Sequence, residues 1–235
     1  MKIMIDAGHG PNTPGKRSPD GMKEFDFNSR VADVMKAELE KYEGAEIYFA
    51  HAKNDDVSLN ERTEKANKLK VDVYVSLHAN AFRGVMGDHT GIETYVYSTN
   101  PKEARKLADK IQAALVKATG LANRGVKLAN FHVLRETAMS AILIEHGYMD
   151  SKIDLPKLKS DAFRKLCGET NAKALAEFYG LKRKPEPKPK PVASKSNVLY
   201  KVQVGAFASK DNAEKLAAKL NKDGYNTYIV EEAKK

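Results

Sequence analysis

Four side chains in this sequence have the chemistry of a hydrolytic metal site: His9 in DAGHG, Glu24 in MKEFDF, His78 in VSLHAN and Glu145 in ILIEHGY. Imidazole nitrogen and carboxylate oxygen are both ligands for Zn2+, and two histidines with one acid leave a fourth position open for water. A second glutamate standing outside the metal could accept a proton from that water. Glycines on both sides of His9 suit a tight turn in which backbone passes close to an ion. The residues are far apart in sequence, unlike the compact HExxH helix, so spacing alone does not establish a metal site.

The elements that must position them can be read from periodicity. KIMID, AEIYFA, VDVYVSLHA, GIETYVY and AILIEHGY are strand-like runs. They alternate with helical patterns in FNSRVADVMKAELEKY, SLNERTEKANKL, PKEARKLADKIQAALVKAT and DAFRKLCGETNAKALAEFYG. Ser58 with Glu61 forms a capping box that opens the second helix, and glycine closes the last. The alternation predicts an α/β fold, a largely parallel or mixed twisted sheet flanked by helices, with functional residues where strands end. Asp6 would then lie beside the His9 turn and could brace it or a ligand imidazole. His146 follows Glu145 on a strand, so the two point to opposite faces and only the glutamate faces the site. His132, in ANFHVLRE, lies just before a strand expected to neighbour Glu145 and could orient substrate or stabilise an oxyanion. His51 and His89 lie in polar loop-like surroundings and are expected to be exposed. Cys167, the only cysteine, excludes an intrachain disulfide and reads as a buried small apolar residue.

DAGHG, the glutamate some way on, SLHAN, GIETYVY and VLRETAMSAILIEHGYMD stand in the same order as in the zinc N-acetylmuramoyl-L-alanine amidases of the Amidase_3 type, which the first 181 residues resemble. The resemblance implies that His9, Glu24 and His78 hold one Zn2+ and that Glu145 is the catalytic glutamate. The substrate it implies is peptidoglycan, cut at the amide between N-acetylmuramic acid and L-alanine of the stem peptide, as in a phage endolysin or a sporulation autolysin. Ala7, Pro11 and Ser140 depart from the family's usual residues. None supplies a ligand, so they bear on loop geometry.

Beyond this first part the composition changes. Residues 182–197, KRKPEPKPKPVASKSN, alternate proline with charge and read as a semi-rigid linker. They carry six basic side chains against Glu186, more than half of the chain's net charge of +9. The basic surplus therefore sits in a linker, which argues against nucleic-acid binding by a folded domain and suits attraction to anionic wall polymers. Residues 198–235 read as strand, helix, strand, with Ala213, Leu216, Ala217 and Leu220 on one helix face. They resemble the first half of a SPOR domain, a peptidoglycan-binding module. Tyr200, Gln203, Phe207 and Tyr228 are its candidate wall contacts, and self-association could complete the half-module. The organisation expected is thus 1–181 catalytic, 182–197 linker and 198–235 wall-binding.

No run of about 18 apolar residues is present, so no membrane span is expected. MKIMIDAGHG has neither the apolar core nor the cleavage site of a secretory signal. A protein made in the cytoplasm and released to the wall by other means is the expectation. A wall-binding protein that kept the fold and lost catalysis is the competing reading. It gives no chemical reason to retain Glu145 beside a full ligand set.

Overall fold

The computed structural model describes residues 1–13, 15–185 and 202–231. The chain divides into two compact units, Met1–Glu186 and Pro187–Lys235.

In the first unit the apolar runs form one six-stranded sheet. Its strands are β1 (Lys2–Ala7), β2 (Glu46–Phe49), β3 (Val73–Asn80), β4 (Ile92–Tyr97), β5 (Asn123–Ala129) and β6 (Ser140–Tyr148), in the order β2-β1-β3-β6-β4-β5. The four strands β2, β1, β3 and β6 are parallel, β4 runs antiparallel to β6, and β5 is parallel to β4. The mixed sheet expected from the alternation is therefore present. The helices of this unit are α1 (Glu24–Leu39), α2 (Leu59–Leu69), α3 (Lys102–Thr119), α4 (His132–Arg135), α5 (Asp154–Lys159) and α6 (Asp161–Phe178). Ser58 closes the capping box with Glu61 at the start of α2.

Strand pleating sorts residues onto two unequal faces. Ile3, Ile5, Val73, Val75, Leu77, Ile142 and Ile144 belong to the large core formed with α1, α3 and α6. Met4, Tyr74, Ala141 and Leu143 belong to a smaller cluster with Ala66 of α2 and Val133 and Leu134 of α4. On that second face the strands turn polar toward their ends, where Asp6, Ser76, His78, Asn80 and Glu145 continue the alternation. Glu93 and Tyr95 of β4 share the same face, because Glu93 pairs with Glu145 in register.

The large core is closed where α1 meets α6. A Cβ on Gly168 would stand 2.7 Å from Val34 Cβ and 2.8 Å from the Val31 carbonyl oxygen, so only glycine lets the helices approach this closely. Cys167 beside it is fully buried, and burial pushes its thiol well above the ordinary range, consistent with an inert packing residue.

Three elements were not anticipated. The sequence of β5 is polar and its pleat is broken by Gly125, at φ +80°. The helices α4 and α5 have four and six residues, too few to display a period. His132 accordingly opens a short helix, where the sequence suggested a loop before a strand. Residues 182–184 are held on the end of α1: Glu43 N donates to the Lys182 carbonyl, and the Arg183 guanidinium donates to Glu38 at 3.0 Å.

Among the described residues of the second unit, α7 (Lys210–Lys222) is the regular element, and its half-buried face is Ala213, Leu216, Ala217 and Leu220, as expected. The flanking strands are not formed: residues 202–207 and 225–231 make no β ladder. A strand exists only by pairing, and here the apolar side chains that would line one find no core, with Val202 89% and Tyr228 68% exposed.

His51 and His146 correct and confirm the sequence reading in turn. His51 is 6% exposed, not a surface residue, and its Nδ1 accepts from the Ala7 amide at 3.0 Å. His146 points into the large core, where its Nδ1 lies 3.0 Å from the His78 carbonyl and its Nε2 lies 2.9 Å from Asn171 Nδ2. Burial pushes both imidazoles down to about 4. A base whose folded value lies below its unfolded value of about 6.5 takes up its proton preferentially in the unfolded chain. Stability is therefore full above about pH 6.5 and should fall toward pH 4, by up to about 3 kcal/mol per histidine. Urea midpoints followed by circular dichroism across that window check the slope, and a flat profile contradicts it. Gly168→Val should lower the same midpoint at neutral pH by the equivalent of about 1–3 kcal/mol through overpacking.

Candidate metal centre and active site

The β1 strand ends at Ala7, and the chain turns at Gly8 and His9. His9 adopts φ +66°, a left-handed conformation unusual for a side-chain-bearing residue and characteristic of strained functional turns. Gly8 is required by contact: a Cβ there would lie 2.0 Å from His78 Cε1, so the ring of His78 rests directly on its backbone. Glu24 enters as the first residue of α1, where a carboxylate is also favoured by the helix N-terminus. His78 comes from β3, one residue beyond the point where β1 stops pairing with it.

These three elements bring the ligand set together. His9 Nε2 lies 3.0 Å from Glu24 Oε2, and His78 Nδ1 lies 2.8 Å from Glu24 Oε1. One ligand atom from each of the three residues falls within 4.8 Å of the others. Burial by itself would raise the carboxyl of Glu24, yet the hydrogen bonds and charge of His78 and His9 outweigh it and hold the group well below its usual range. A carboxylate favoured in its ionised form between two imidazoles is a fitting cradle for a divalent cation, and two histidines with one acid are a donor set that zinc accepts.

The imidazoles are held from behind. Ser76 Oγ stands 3.1 Å from His78 Nε2 and donates to Asp6 Oδ2 at 2.9 Å. The Arg62 guanidinium of α2 donates to the other Asp6 oxygen and to the carbonyls of Ala7 and His9. Asp6 thus braces both the His9 turn, through Arg62, and the His78 ring, through Ser76. Arg62 and Ser76 had no signal in the sequence, because their role depends on which strand and helix lie beside β1.

Glu145 is the register partner of His78 on β6 and lies on the same face. Its Oε2 is buried without a hydrogen-bond partner. Burial first, then the negative charge of Glu24, pushes its carboxyl well above the ordinary value, against the opposing charge of Lys16. Lys16 itself is tied down, donating from Nζ to Asn80 Oδ1 and to the Ala81 carbonyl, and its backbone amide donates to Glu24. A carboxyl with a raised pKa beside a cation site has the properties of a proton shuttle.

Of the remaining sequence candidates, His132 sits on α4 over the same face, with its Nε2 buried and unpartnered. His89 is not free, since its Nε2 lies 2.7 Å from Asp150, which also accepts the amides of Phe82, Arg83 and Gly84 and so shapes that loop. Gln203, Phe207 and Tyr228 are exposed in the second unit, and Tyr200 lies outside the described residues. Glu93, part of GIETYVY, was given no role from sequence. It is 1% exposed and accepts from Asn80 Nδ2 at 2.7 Å, from the hydroxyls of Tyr95 and Tyr148 at 3.0 Å each, from Arg124 at 3.2 Å and from Lys127.

Comparison with known proteins identifies the family and the fold. The profile of the N-acetylmuramoyl-L-alanine amidases, Amidase_3, matches residues 3–177, and that of the SPOR domain matches residues 169–235. A sporulation-specific N-acetylmuramoyl-L-alanine amidase of Bacillus subtilis (strain 168) is 34% identical over 231 residues, 98% of this chain and 84% of that protein. The endolysin of Bacillus phage SPP1 is 31% identical over 234 residues, 95% of this chain and 82% of its own length. The crystal structure of an N-acetylmuramoyl-L-alanine amidase from Clostridium difficile 630 superposes with a TM-score of 0.73 at 29% identity, covering 76% of this chain and 96% of that one.

The bracing of His78 can be tested directly. Ser76→Ala should leave the fold intact and weaken divalent-metal affinity by about tenfold to a hundredfold, since the imidazole loses the group that orients it. Competition with a chelator measures the change. Unaltered affinity would remove Ser76 from the account.

Proposed function

The chain belongs to the Amidase_3 family of N-acetylmuramoyl-L-alanine amidases, and from that premise we propose that it is a peptidoglycan hydrolase that cleaves the amide between N-acetylmuramic acid and L-alanine with one Zn2+ held by His9, Glu24 and His78. The observation that carries this reading is the convergence of three sequence-distant ligand atoms within 4.8 Å of one another, beside a carboxylate that lacks a partner.

His9, Glu24 and His78 would hold the Zn2+, which when bound would supply Lewis acidity toward water and the scissile carbonyl. The protein's own part is proton transfer and positioning. Glu145 takes the proton of the attacking water and returns it to the leaving amine of L-alanine. Its Oε2 is buried with no hydrogen-bond partner of its own, which leaves it open to accept that proton, and burial together with the charge of Glu24 raises its proton affinity. Arg62, Asp6 and Ser76 fix the ligand imidazoles, so little reorganisation is needed when the metal is held. His132, with a buried free nitrogen above the same face, is the candidate for contact with the substrate.

The proposed place of action is the bacterial cell wall. In this reading the catalytic part is residues 1–181, the basic segment 182–197 is drawn to anionic wall polymers, and residues 198–235 hold the enzyme on peptidoglycan through surfaces that include Gln203, Phe207 and Tyr228. No helix among the described residues is long and apolar enough to cross a membrane.

Two substitutions separate the roles. Glu145→Gln should retain stoichiometric zinc and lose about a hundredfold or more of the hydrolysis rate, whereas His78→Ala should lose metal and activity together. Metal analysis and release of new amino termini from purified walls are the readouts. A glutamine variant that lyses walls as fast as the parent would exclude Glu145 as the proton shuttle.

A further inference from the structure

The catalytic row does not stop at Glu145. In register across the sheet, His78 of β3 is followed by Glu145 of β6 and Glu93 of β4. Beyond Glu93 lies the edge strand β5, which contributes Arg124 and Lys127. Two residues three apart on a regular strand point to opposite faces. Here they do not, because β5 carries a bulge: Ile92 pairs with Asn123 but Thr94 pairs with Val126, so one extra residue is inserted opposite β4. Gly125, at φ +80°, supplies the left-handed step this requires. The bulge turns both cations onto the catalytic face, where both reach Glu93.

Neutralising Glu93 does not account for two cations. The buried carboxylate already accepts from Asn80, Tyr95 and Tyr148, and one positive charge balances it. The second leaves Glu93, Arg124 and Lys127 with a net charge of +1 between them, and the next carboxyl of the row is Glu145, one strand further from the two cations. Both cationic side chains remain 38% exposed, so they can meet a ligand while resting on Glu93. They are also held from below by aromatic faces. Arg124 Cζ lies 5.0 Å from the centre of the Tyr148 ring, and Lys127 Nζ lies 5.9 Å from that of Tyr95. Phe131, 41% exposed, stacks edge-on against Tyr95 and extends an apolar wall beside them.

We infer that Arg124 and Lys127 form a specificity subsite for a free carboxylate of the stem peptide, on the amine side of the scissile bond. The inference rests on the amidase reading and deepens it. Neighbouring strands are about 4.8 Å apart, which places β5 about 10 Å from the strand of Glu145. An extended peptide advances about 3.3–3.6 Å per residue, so the distance corresponds to the second or third residue beyond the cleaved amide. A guanidinium and an ammonium side by side, both oriented by one buried acid, suit charge-assisted hydrogen bonds to a carboxylate.

The test uses the full chain loaded with zinc and two soluble muramyl tripeptides, one with its peptide carboxylates free and one with them converted to primary carboxamides. The parent should show a kcat/KM about tenfold or more higher for the free acid, the scale of a charged hydrogen bond. Arg124→Gln and Lys127→Gln should each narrow that ratio, and the double variant should bring it close to one. Arg124→Gln leaves Lys127 as the counter-charge of Glu93, so it reports on recognition with the buried acid still compensated, and Arg124→Lys should keep most of the preference. A parent that cuts both substrates equally well overturns the subsite while leaving the amidase reading intact. So does an Arg124→Gln variant that slows both substrates by the same factor.

Discussion

A single carboxylate, that of Glu24, stands between two imidazoles, and the rest of the first unit is arranged to hold it there. It is almost wholly buried, yet its ionised form is the stable one, because His9 and His78 each approach one of its oxygens within 3.0 Å. Without a cation or the imidazoles, such a charge would be too costly to keep away from water. The three residues come from a strand-end turn, a helix start and a neighbouring strand. Their meeting is therefore a statement about the whole sheet: β1 and β3 must be adjacent and parallel, and α1 must return over their ends.

The supports behind the ligands show how that geometry is kept. Arg62 reaches from α2 into the space beside β1 and satisfies Asp6 and two carbonyls of the His9 turn at once. Buried ion pairs of this kind add little net stability but make any other arrangement expensive, since removing one partner strands a charge. The strained φ of His9 is tolerable for the same reason: the guanidinium fixes the carbonyl on either side of the turn. Such rigidity suits the proposed metal site, where nitrogen and oxygen would have to stand at a fixed separation before a cation arrives.

The two faces of the sheet divide the labour. One carries a continuous apolar core under α1, α3 and α6, and His146 belongs to it as a buried neutral ring bridging β6 to α6. The other is covered by α2 and the single turn of α4, and its polar strand ends are left open. Strand alternation alone thus separates Glu145, the proposed proton shuttle, from its neighbour His146, which packs in the core. The same alternation, interrupted by one bulge in the edge strand, extends the polar row outward to Glu93 and its cations.

The sequence by itself determined the ligand types, the helices and strands with clear periods, the capping box of α2, and the opposite orientations of Glu145 and His146. Those are local properties, set by side-chain chemistry and by the pleat of a strand. Tertiary structure decided the rest. Arg62, Ser76 and Glu93 acquire roles only through neighbours distant in the chain, which no local pattern encodes. His51 looked like a loop histidine and is buried because an amide of β1 lies over it. β5 escaped notice because the glycine that breaks its alternation is the residue that aims its side chains. Among the described residues the strands expected around α7 are unformed, since a segment with the right alternation becomes a strand only where an edge is available to pair with it.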